Sequence, residues 1–111
     1  MQERQIKFAK YVGMLLTWIY QDPQYGVVLG EVERPHEMQV LYLQTGKSRV
    51  QHSFHEDSLA IDISLFIKGA YQTKSEEYKP LGDYWKSLDP ENVWGGDFST
   101  LHDGNHFQYG R

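Results

Sequence analysis

The sequence predicts an α+β fold in which a small antiparallel sheet is flanked by helices. Three observations indicate this fold class: an amphipathic stretch opens the chain, a run of strand-forming residues crosses its middle, and short aromatic segments with glycine turns follow. With 111 residues the chain can bury one core but not two. We therefore expect a single domain over residues 1–111.

Three segments have the spacing and boundary residues of helices. Residues 3–20 carry apolar side chains at intervals of three and four, and Pro23 ends that pattern. Pro35 opens a second helix that Gly46 closes, because proline suits a first helical turn and glycine suits the position after the last. Residues 80–88 repeat the helical spacing and predict the third helix.

Three further segments are typical of strands. Residues 59–67 give the strongest strand pattern, residues 26–33 a weaker one, and residues 106–109 a short final strand. Residues 94–98 contain two glycines between aromatic side chains and predict a tight turn. Residues 73–77 are interpreted as a polar loop.

One carboxylate interrupts the strongest strand. On a period of two, Asp62 shares a face with Ala60, Ser64 and Phe66, while the opposite face is uniformly aliphatic. Aspartate is depleted in strands and costly to bury without a partner. We therefore expect Asp62 to face a cleft or water, where a cation or a hydrogen-bond network can stabilise its charge.

Histidines on both sides of this strand indicate a metal site. The five histidines lie at positions 36, 52, 55, 102 and 106. Without cysteine, any metal site must use His, Asp and Glu, and zinc binds imidazole nitrogen and carboxylate oxygen. His55, Asp62 and His106 are the candidate ligands, but His52 and His102 compete with them because spacing alone does not choose.

Two charged residues are candidates for catalysis beside such a metal. Asp103 lies three residues before His106, and the intervening Gly104 and Asn105 allow a tight turn, so its carboxylate could act as a general base on water. Arg34 lies at a strand-to-helix corner, where a side chain can point into a cleft. The alternative for Arg34 is a solvated surface residue.

Composition excludes several partners. A net charge of −4 and a pI near 5.7 leave no general attraction for nucleic acid or an anionic membrane. The apolar run at residues 12–20 is too short to span a bilayer and lacks a small-residue cleavage site after it. We expect a soluble protein made in a cytoplasm without a signal peptide, which must be released to reach any substrate outside.

Sequence motifs add to this interpretation. One block has a serine, any residue and a histidine, followed after six residues by an aspartate, with an alanine two positions before the aspartate. A second has Trp-Gly-Gly-Asp with an aromatic, then Asp-x-x-His-Phe, and a third has Gly-Glu-x-x-Arg followed by glutamine and tyrosine. The residues that carry these blocks are Ser53, His55, Ala60, Asp62, residues 94–98, Asp103, His106, Phe107, Gly30, Glu31, Arg34, Gln39 and Tyr42.

These blocks resemble the zinc-dependent peptidoglycan peptidases. That family comprises D-Ala-D-Ala carboxypeptidases and dipeptidases together with phage endolysin L-alanyl-D-glutamate peptidases, and the similarity runs from about residue 28 to residue 108. It implies the Hedgehog/DD-peptidase fold and one zinc ion per chain. The family usually has glycine at the position of Ser58, so this loop departs from the pattern.

The resemblance also implies a role for each site residue. Zinc would be held by His55, Asp62 and His106, with Asp103 as the base. Arg34 would donate hydrogen bonds to the substrate carbonyl as it becomes an oxyanion.

Ser53 would brace the loop that carries His55 rather than act as a nucleophile.

The implied substrate is the stem peptide of peptidoglycan. The 94–98 block and the short chain favour the phage or prophage endolysin branch, hence cleavage of the L-Ala-D-Glu bond without a separate wall-binding domain. One alternative is a D-Ala-D-Ala carboxypeptidase. Another is a catalytically silent, zinc-stabilised wall-binding or virion domain.

Overall fold

A computed structural model describes residues 1–46, 54–99 and 101–110 and confirms the α+β class. The described helices are α1 (Gln2–Ile19), α2 (His36–Thr45) and α3 (Lys79–Leu88), and the strands are β1 (Tyr25–Leu29), β2 (Ala60–Ile67), β3 (Ala70–Tyr71), β4 (Asn92–Trp94) and β5 (His106–Tyr109). Two short 3₁₀ helices cover Ser75–Tyr78 and Gly95–Asp97. No described helix combines the length and the apolar character needed to cross a membrane.

The strands form one antiparallel sheet in the order β1-β2-β5-β4, with β3 paired to the end of β2. The strongest strand pattern therefore occupies the centre of the sheet, between β1 and β5. In the β2–β5 register Asp62 lies directly opposite His106. This pairing brings together two candidate ligands that are far apart in sequence.

The aliphatic face of β2 packs into the core, as its alternation predicts. Ile61, Ile63 and Leu65 are at most 2% exposed, and they share one core with side chains from α1 and α3. Trp85 of α3 is fully buried, and its indole N–H donates to the carbonyl oxygens of Val93 and Gln108. These contacts cover one face of the sheet, so its other face is left for the candidate metal site.

Several element boundaries differ from the prediction. The strand predicted over residues 26–33 ends at Leu29, because Gly30 and Glu31 both hydrogen-bond to the backbone of Asp62 and interrupt the regular ladder. The predicted loop at 73–77 contains the first 3₁₀ helix, and β4 was not predicted. Both elements are too short to leave a periodic pattern in the sequence.

Candidate metal centre

The three candidate ligands converge at one point beside the sheet. His55 lies in the turn before β2, Asp62 within β2, and His106 at the start of β5. The Nε2 atom of His55 is 3.3 Å from Asp62 Oδ1, and the Nδ1 atom of His106 is 3.4 Å from the same oxygen. One donor atom from each residue lies within 4.8 Å of the other two.

The turn that carries His55 has the hydrogen bonds of a Schellman motif. The N–H of Leu59 donates to the Phe54 carbonyl at 2.9 Å, and the N–H of Ser58 donates to the His55 carbonyl at 3.2 Å. Ser58 has a φ of 54°, which is the left-handed conformation that glycine adopts without steric cost. The glycine usual in the family thus has a physical reason, and serine keeps the same turn at some cost.

The Gly-Glu-x-x-Arg segment holds this turn against the sheet through its backbone. The Nδ1 atom of His55 is 3.1 Å from the carbonyl oxygen of Val32, and the N–H of Arg34 donates to the His55 carbonyl at 2.9 Å. Gly30 packs so closely on Asp62 that an added Cβ would be 3.0 Å from the Asp62 carbonyl oxygen. The segment therefore contacts two of the three ligands.

The Trp-Gly-Gly block supports the third ligand. The indole of Trp94 lies between two glycines, since a Cβ added at Gly82 or Gly96 would be 2.2 Å from its ring atoms. The indole N–H donates to the Gly104 carbonyl at 2.7 Å. Trp94 therefore ties the turn before His106 to α3.

Gly95 sets the position of that turn more directly. An added Cβ would be 2.1 Å from the carbonyl oxygen of Asp103 and 2.9 Å from the Cβ of His106. The N–H of Asp103 donates to the Gly95 carbonyl at 2.9 Å, and the N–H of His106 donates to the Asp103 carbonyl at 3.0 Å. Asp103 and His106 therefore belong to one tight turn, as their spacing predicts.

The cluster stabilises opposite charges on its members. Burial disfavours the charge on Asp62, but hydrogen bonds from His106 and His55 outweigh it and hold the pKa of this carboxyl well below its usual range. Burial also opposes charge on His106, yet its hydrogen bonds to Asp62 and Gln108 raise the pKa of the imidazole. The site therefore favours a positive charge between these side chains.

The pKa of Asp103 shifts in the opposite direction from that of Asp62. Burial raises the pKa of its carboxyl, His106 opposes that change, and the charge of Asp62 raises the pKa further. Raising the pKa of a carboxyl makes its protonated form more accessible, so the group can both take up and release a proton, which is the requirement for general acid–base catalysis. Asp103 thus has the protonation behaviour of a general acid–base group, whereas Asp62 has that of a metal ligand.

The donor set fits zinc. Zinc bonds of about 2.0–2.1 Å in a tetrahedral arrangement place neighbouring donors about 3.3–3.4 Å apart. The two histidine–carboxylate distances are 3.3 and 3.4 Å. Two imidazoles and one carboxylate are also a donor set typical of a catalytic zinc, which keeps its fourth position for water.

Comparison with known proteins identifies the family. A family model described as D-alanyl-D-alanine carboxypeptidase matches residues 45–109. This chain belongs to that family. The predicted resemblance to peptidoglycan peptidases is therefore confirmed. The match includes all three candidate ligands and Asp103, but it begins at residue 45, after Arg34.

The fold is similar to that of a solved structure, "Crystal structure of Serratia marcescens L-Ala D-Glu endopeptidase ChiX". The TM-score is 0.77 at 21% sequence identity, covering 93% of this chain and 77% of that chain. No curated protein sequence matches this chain. The similarity supports the fold assigned to this family member.

The side chain of Arg34 is held by its own neighbours. Its Nε donates to Glu31 at 2.5 Å and its Nη1 to Gln39, and the guanidinium lies 4.8 Å from the ring centre of Tyr42. Among the described residues, Nη2 has no hydrogen-bond partner. The structure thus places Arg34 beside the His55 turn, while its predicted contact with substrate stays a prediction.

The competing histidines are not part of the described cluster. His102 is exposed, and its Nδ1 is 3.1 Å from the Gly96 carbonyl. His52 lies outside the described residues, as does Ser53, so the predicted bracing role of Ser53 stays a prediction. The choice of His106 over His102 follows from the sheet register, which places His106 opposite Asp62.

The sequence interpretation missed two partners of the ligands. The carbonyl of Val32 contacts His55, and a backbone contact of this kind leaves no trace in residue identity. Gln108 contacts His106 through Oε1 at 2.7 Å. Its position two residues after His106 in a strand places both side chains on one face, so the period of two could have found it.

Proposed function

We propose that this protein is a zinc-dependent peptidase that hydrolyses the L-Ala-D-Glu bond in the stem peptide of peptidoglycan. The observation that carries the proposal is the convergence of His55, Asp62 and His106 at zinc-compatible distances, with Asp103 in the same turn as His106. Family membership supports peptidoglycan as the substrate. That the protein is a phage or prophage endolysin released from a bacterial cytoplasm stays a prediction from the sequence.

The zinc site is the first part of the proposed mechanism. Zinc held by His55 Nε2, Asp62 Oδ1 and His106 Nδ1 would supply a Lewis acid that lowers the pKa of water towards about 7. Each imidazole is oriented by an acceptor on its far side, Val32 for His55 and Gln108 for His106. The protein thereby presents three preorganised donors.

Proton transfer is assigned to Asp103. Its carboxylate accepts a proton from the attacking water as the water oxygen bonds to the carbonyl carbon. It then gives that proton to the amine nitrogen as the C–N bond breaks, so the carboxylate is regenerated. The raised pKa of the half-buried Asp103 carboxyl suits it to both steps.

Arg34 is the proposed stabiliser of the negative charge that develops on the substrate carbonyl oxygen. With Nε and Nη1 engaged by Glu31 and Gln39, its Nη2 is the nitrogen that can donate to substrate. The same two contacts hold the guanidinium in one orientation. A preorganised donor is worth more than a flexible one because no reorganisation occurs during the reaction.

The scissile bond distinguishes this proposal from the alternative within the family. The similarity of fold to a protein named as an L-Ala D-Glu endopeptidase favours the internal bond, whereas the family description names a D-alanyl-D-alanine carboxypeptidase. Digestion of purified sacculi followed by mass spectrometry of the muropeptides separates the two. We expect new amino termini on D-Glu, and release of free D-Ala would support the carboxypeptidase instead.

An Asp103→Asn variant tests the enzymatic part. The amide cannot accept the proton, so we expect cleavage to fall about 10²- to 10⁴-fold while roughly one zinc per chain is still bound. Asp83→Asn is the matched control, because Asp83 is an exposed carboxylate paired with Lys79 on α3. We expect it to cleave like the wild type.

Two outcomes would contradict the proposal. Full activity of Asp103→Asn would remove Asp103 from the mechanism. A wild-type protein that binds zinc and sacculi but releases no new amino terminus would be the catalytically silent wall-binding domain.

A further inference from the structure

We propose that Gln108 is a positioning residue that determines which nitrogen of His106 binds the metal. This inference rests on the zinc site of the proposed function and goes beyond it, because it assigns the proton on the ligand. Gln108 lies on β5 two residues after His106, and its side-chain oxygen is 2.7 Å from His106 Nε2.

The orientation of the Gln108 amide follows from its second contact. The side-chain nitrogen of Gln108 donates to the carbonyl oxygen of Gly110 at 2.9 Å. A carbonyl oxygen accepts hydrogen bonds only, so the amide nitrogen must face Gly110 and the amide oxygen must face His106. An amide oxygen is likewise only an acceptor, and His106 Nε2 must therefore carry the hydrogen.

The backbone around Gly110 holds the accepting carbonyl in place. Gly110 has a φ of 105°, a conformation that residues with a Cβ rarely adopt, and its N–H donates to the Glu91 carbonyl at 2.8 Å. The Gln108 backbone is anchored as well, since its carbonyl accepts from the Trp85 indole at 3.1 Å. Gln108 is therefore held at its main chain and at both ends of its amide.

The proton on Nε2 leaves the other nitrogen of His106 free to bind metal. A neutral imidazole has one N–H and one lone pair, so the lone pair is on Nδ1. Nδ1 is the atom 3.4 Å from Asp62 Oδ1 and faces the cluster. Gln108 thus selects the tautomer that the site requires.

His55 has the opposite arrangement. Its Nδ1 donates to the Val32 carbonyl, and its Nε2 faces Asp62 Oδ1 at 3.3 Å. The two histidines therefore present different nitrogens to one metal. The acceptor for His55 is a backbone atom that substitution does not remove, whereas the acceptor for His106 is a side chain, so its contribution can be measured.

Zinc affinity of two Gln108 variants tests this role without using peptidase activity. Gln108→Met keeps the length of the side chain but removes the acceptor, and we expect the affinity to fall about 10- to 100-fold. Gln108→Glu keeps an oxygen acceptor for Nε2–H, so we expect it to recover the affinity lost in Gln108→Met. The control is Gln21→Met, at an exposed position after α1, and competition with a chromophoric chelator gives all four affinities.

Nitrogen-15 NMR of the zinc-loaded wild type reads the tautomers directly. We expect the N–H of His106 on Nε2 with zinc on Nδ1, and the reverse on His55. In Gln108→Met the His106 Nε2–H should exchange faster with water, because its acceptor is lost.

Two results would overturn the inference: zinc on Nε2 of His106, or a Gln108→Met variant with wild-type affinity. If that variant fails to fold, the wild-type spectrum still tests the inference, because zinc on Nε2 of His106 would contradict it. If the expected tautomers are found but muropeptides are not cleaved, the proposed function fails while the role of Gln108 stands.

Discussion

The two histidine ligands are supported by regions built in different ways. We call residues 94–96 with residues 103–106 the His106 arm, and residues 54–59 with residues 32–34 the His55 arm. In the His106 arm, glycines allow backbone and indole to approach within distances that no Cβ permits. In the His55 arm, backbone hydrogen bonds hold a turn that contains a serine at positive φ.

This difference predicts which substitutions each arm tolerates. Close packing leaves no room for an added atom, so the His106 arm should be sensitive to volume. A turn held by main-chain hydrogen bonds depends on backbone conformation instead, so the His55 arm should respond to changes in φ preference. Substitutions in the His106 arm are thus limited by space, and substitutions in the His55 arm are limited by backbone strain.

Gly95→Ala should have the largest effect. The new Cβ would lie 2.1 Å from the Asp103 carbonyl oxygen, so the turn that carries Asp103 and His106 must shift. We expect a loss of about 1–3 kcal/mol in the free energy of unfolding together with weaker zinc binding. Urea denaturation and chelator competition measure the two effects.

Gly13→Ala is the control for that substitution. Gly13 lies in α1, and a Cβ there would meet nothing within 4 Å. Alanine should stabilise the helix by about 0.5–1 kcal/mol and leave zinc binding unchanged. If Gly95→Ala behaved like Gly13→Ala, the volume limit of the His106 arm would be wrong.

The second prediction concerns pH, and its effect should be smaller. Next to Asp62 the pKa of His106 is raised above its unfolded value of about 6.5, despite burial that opposes the charge. Its contribution to the stability of the metal-free protein is therefore fully present below pH ~6.5 and is lost as pH rises through the folded pKa. Thermal midpoints measured with a chelator should fall over that range, and added zinc should reverse the fall.

Two histidine variants sharpen this test. In His106→Gln the decrease above pH ~6.5 should be absent, because the titrating group is gone. In His102→Gln it should persist, since His102 is exposed and lies outside the ligand cluster. An unchanged pH profile in His106→Gln would assign the effect to another group.

Ser58→Gly should have the smallest effect, and its sign is stabilising. A left-handed φ costs an L-residue roughly 1–2 kcal/mol, and the greater freedom of glycine in the unfolded chain offsets part of that, leaving roughly 0.5–1 kcal/mol. Since Ser58 closes the turn that holds His55, zinc affinity should also rise modestly. Urea midpoints and chelator competition measure both quantities.

Lys68→Gly provides the matched comparison. Lys68 has a φ of 52° in the turn between β2 and β3, away from the ligands. Its replacement should raise stability by a similar amount without changing zinc affinity. Destabilisation by Ser58→Gly would mean that strain does not limit the His55 arm.

Much of the fold could be predicted from local pattern. The period of two in residues 59–67 identified the central strand and its buried face, and helical spacing with proline and glycine boundaries located the three helices within a few residues. The short strand β4 and the Ser75–Tyr78 helix escaped because so few residues carry no period.

The candidate ligands were recognised from motifs rather than from physics alone. Residue chemistry indicated Asp62 and a surplus of histidine but could not separate His55 and His106 from His52 and His102. The family pattern made that choice, and the register that sets His106 opposite Asp62 gives its physical reason.

Local spacing along the chain is enough to predict most of the elements, the buried face of β2 and the residue types available for a metal, because these depend on near neighbours in sequence. The meeting of His55, Asp62 and His106, and the nitrogen of each imidazole that faces the carboxylate, are visible only in the folded chain. Those facts depend on strand register and on acceptors such as Val32 and Gln108, which lie 23 and 2 residues from their histidines. The contact with Val32 forms only once residues 30–34 have packed against the turn that carries His55.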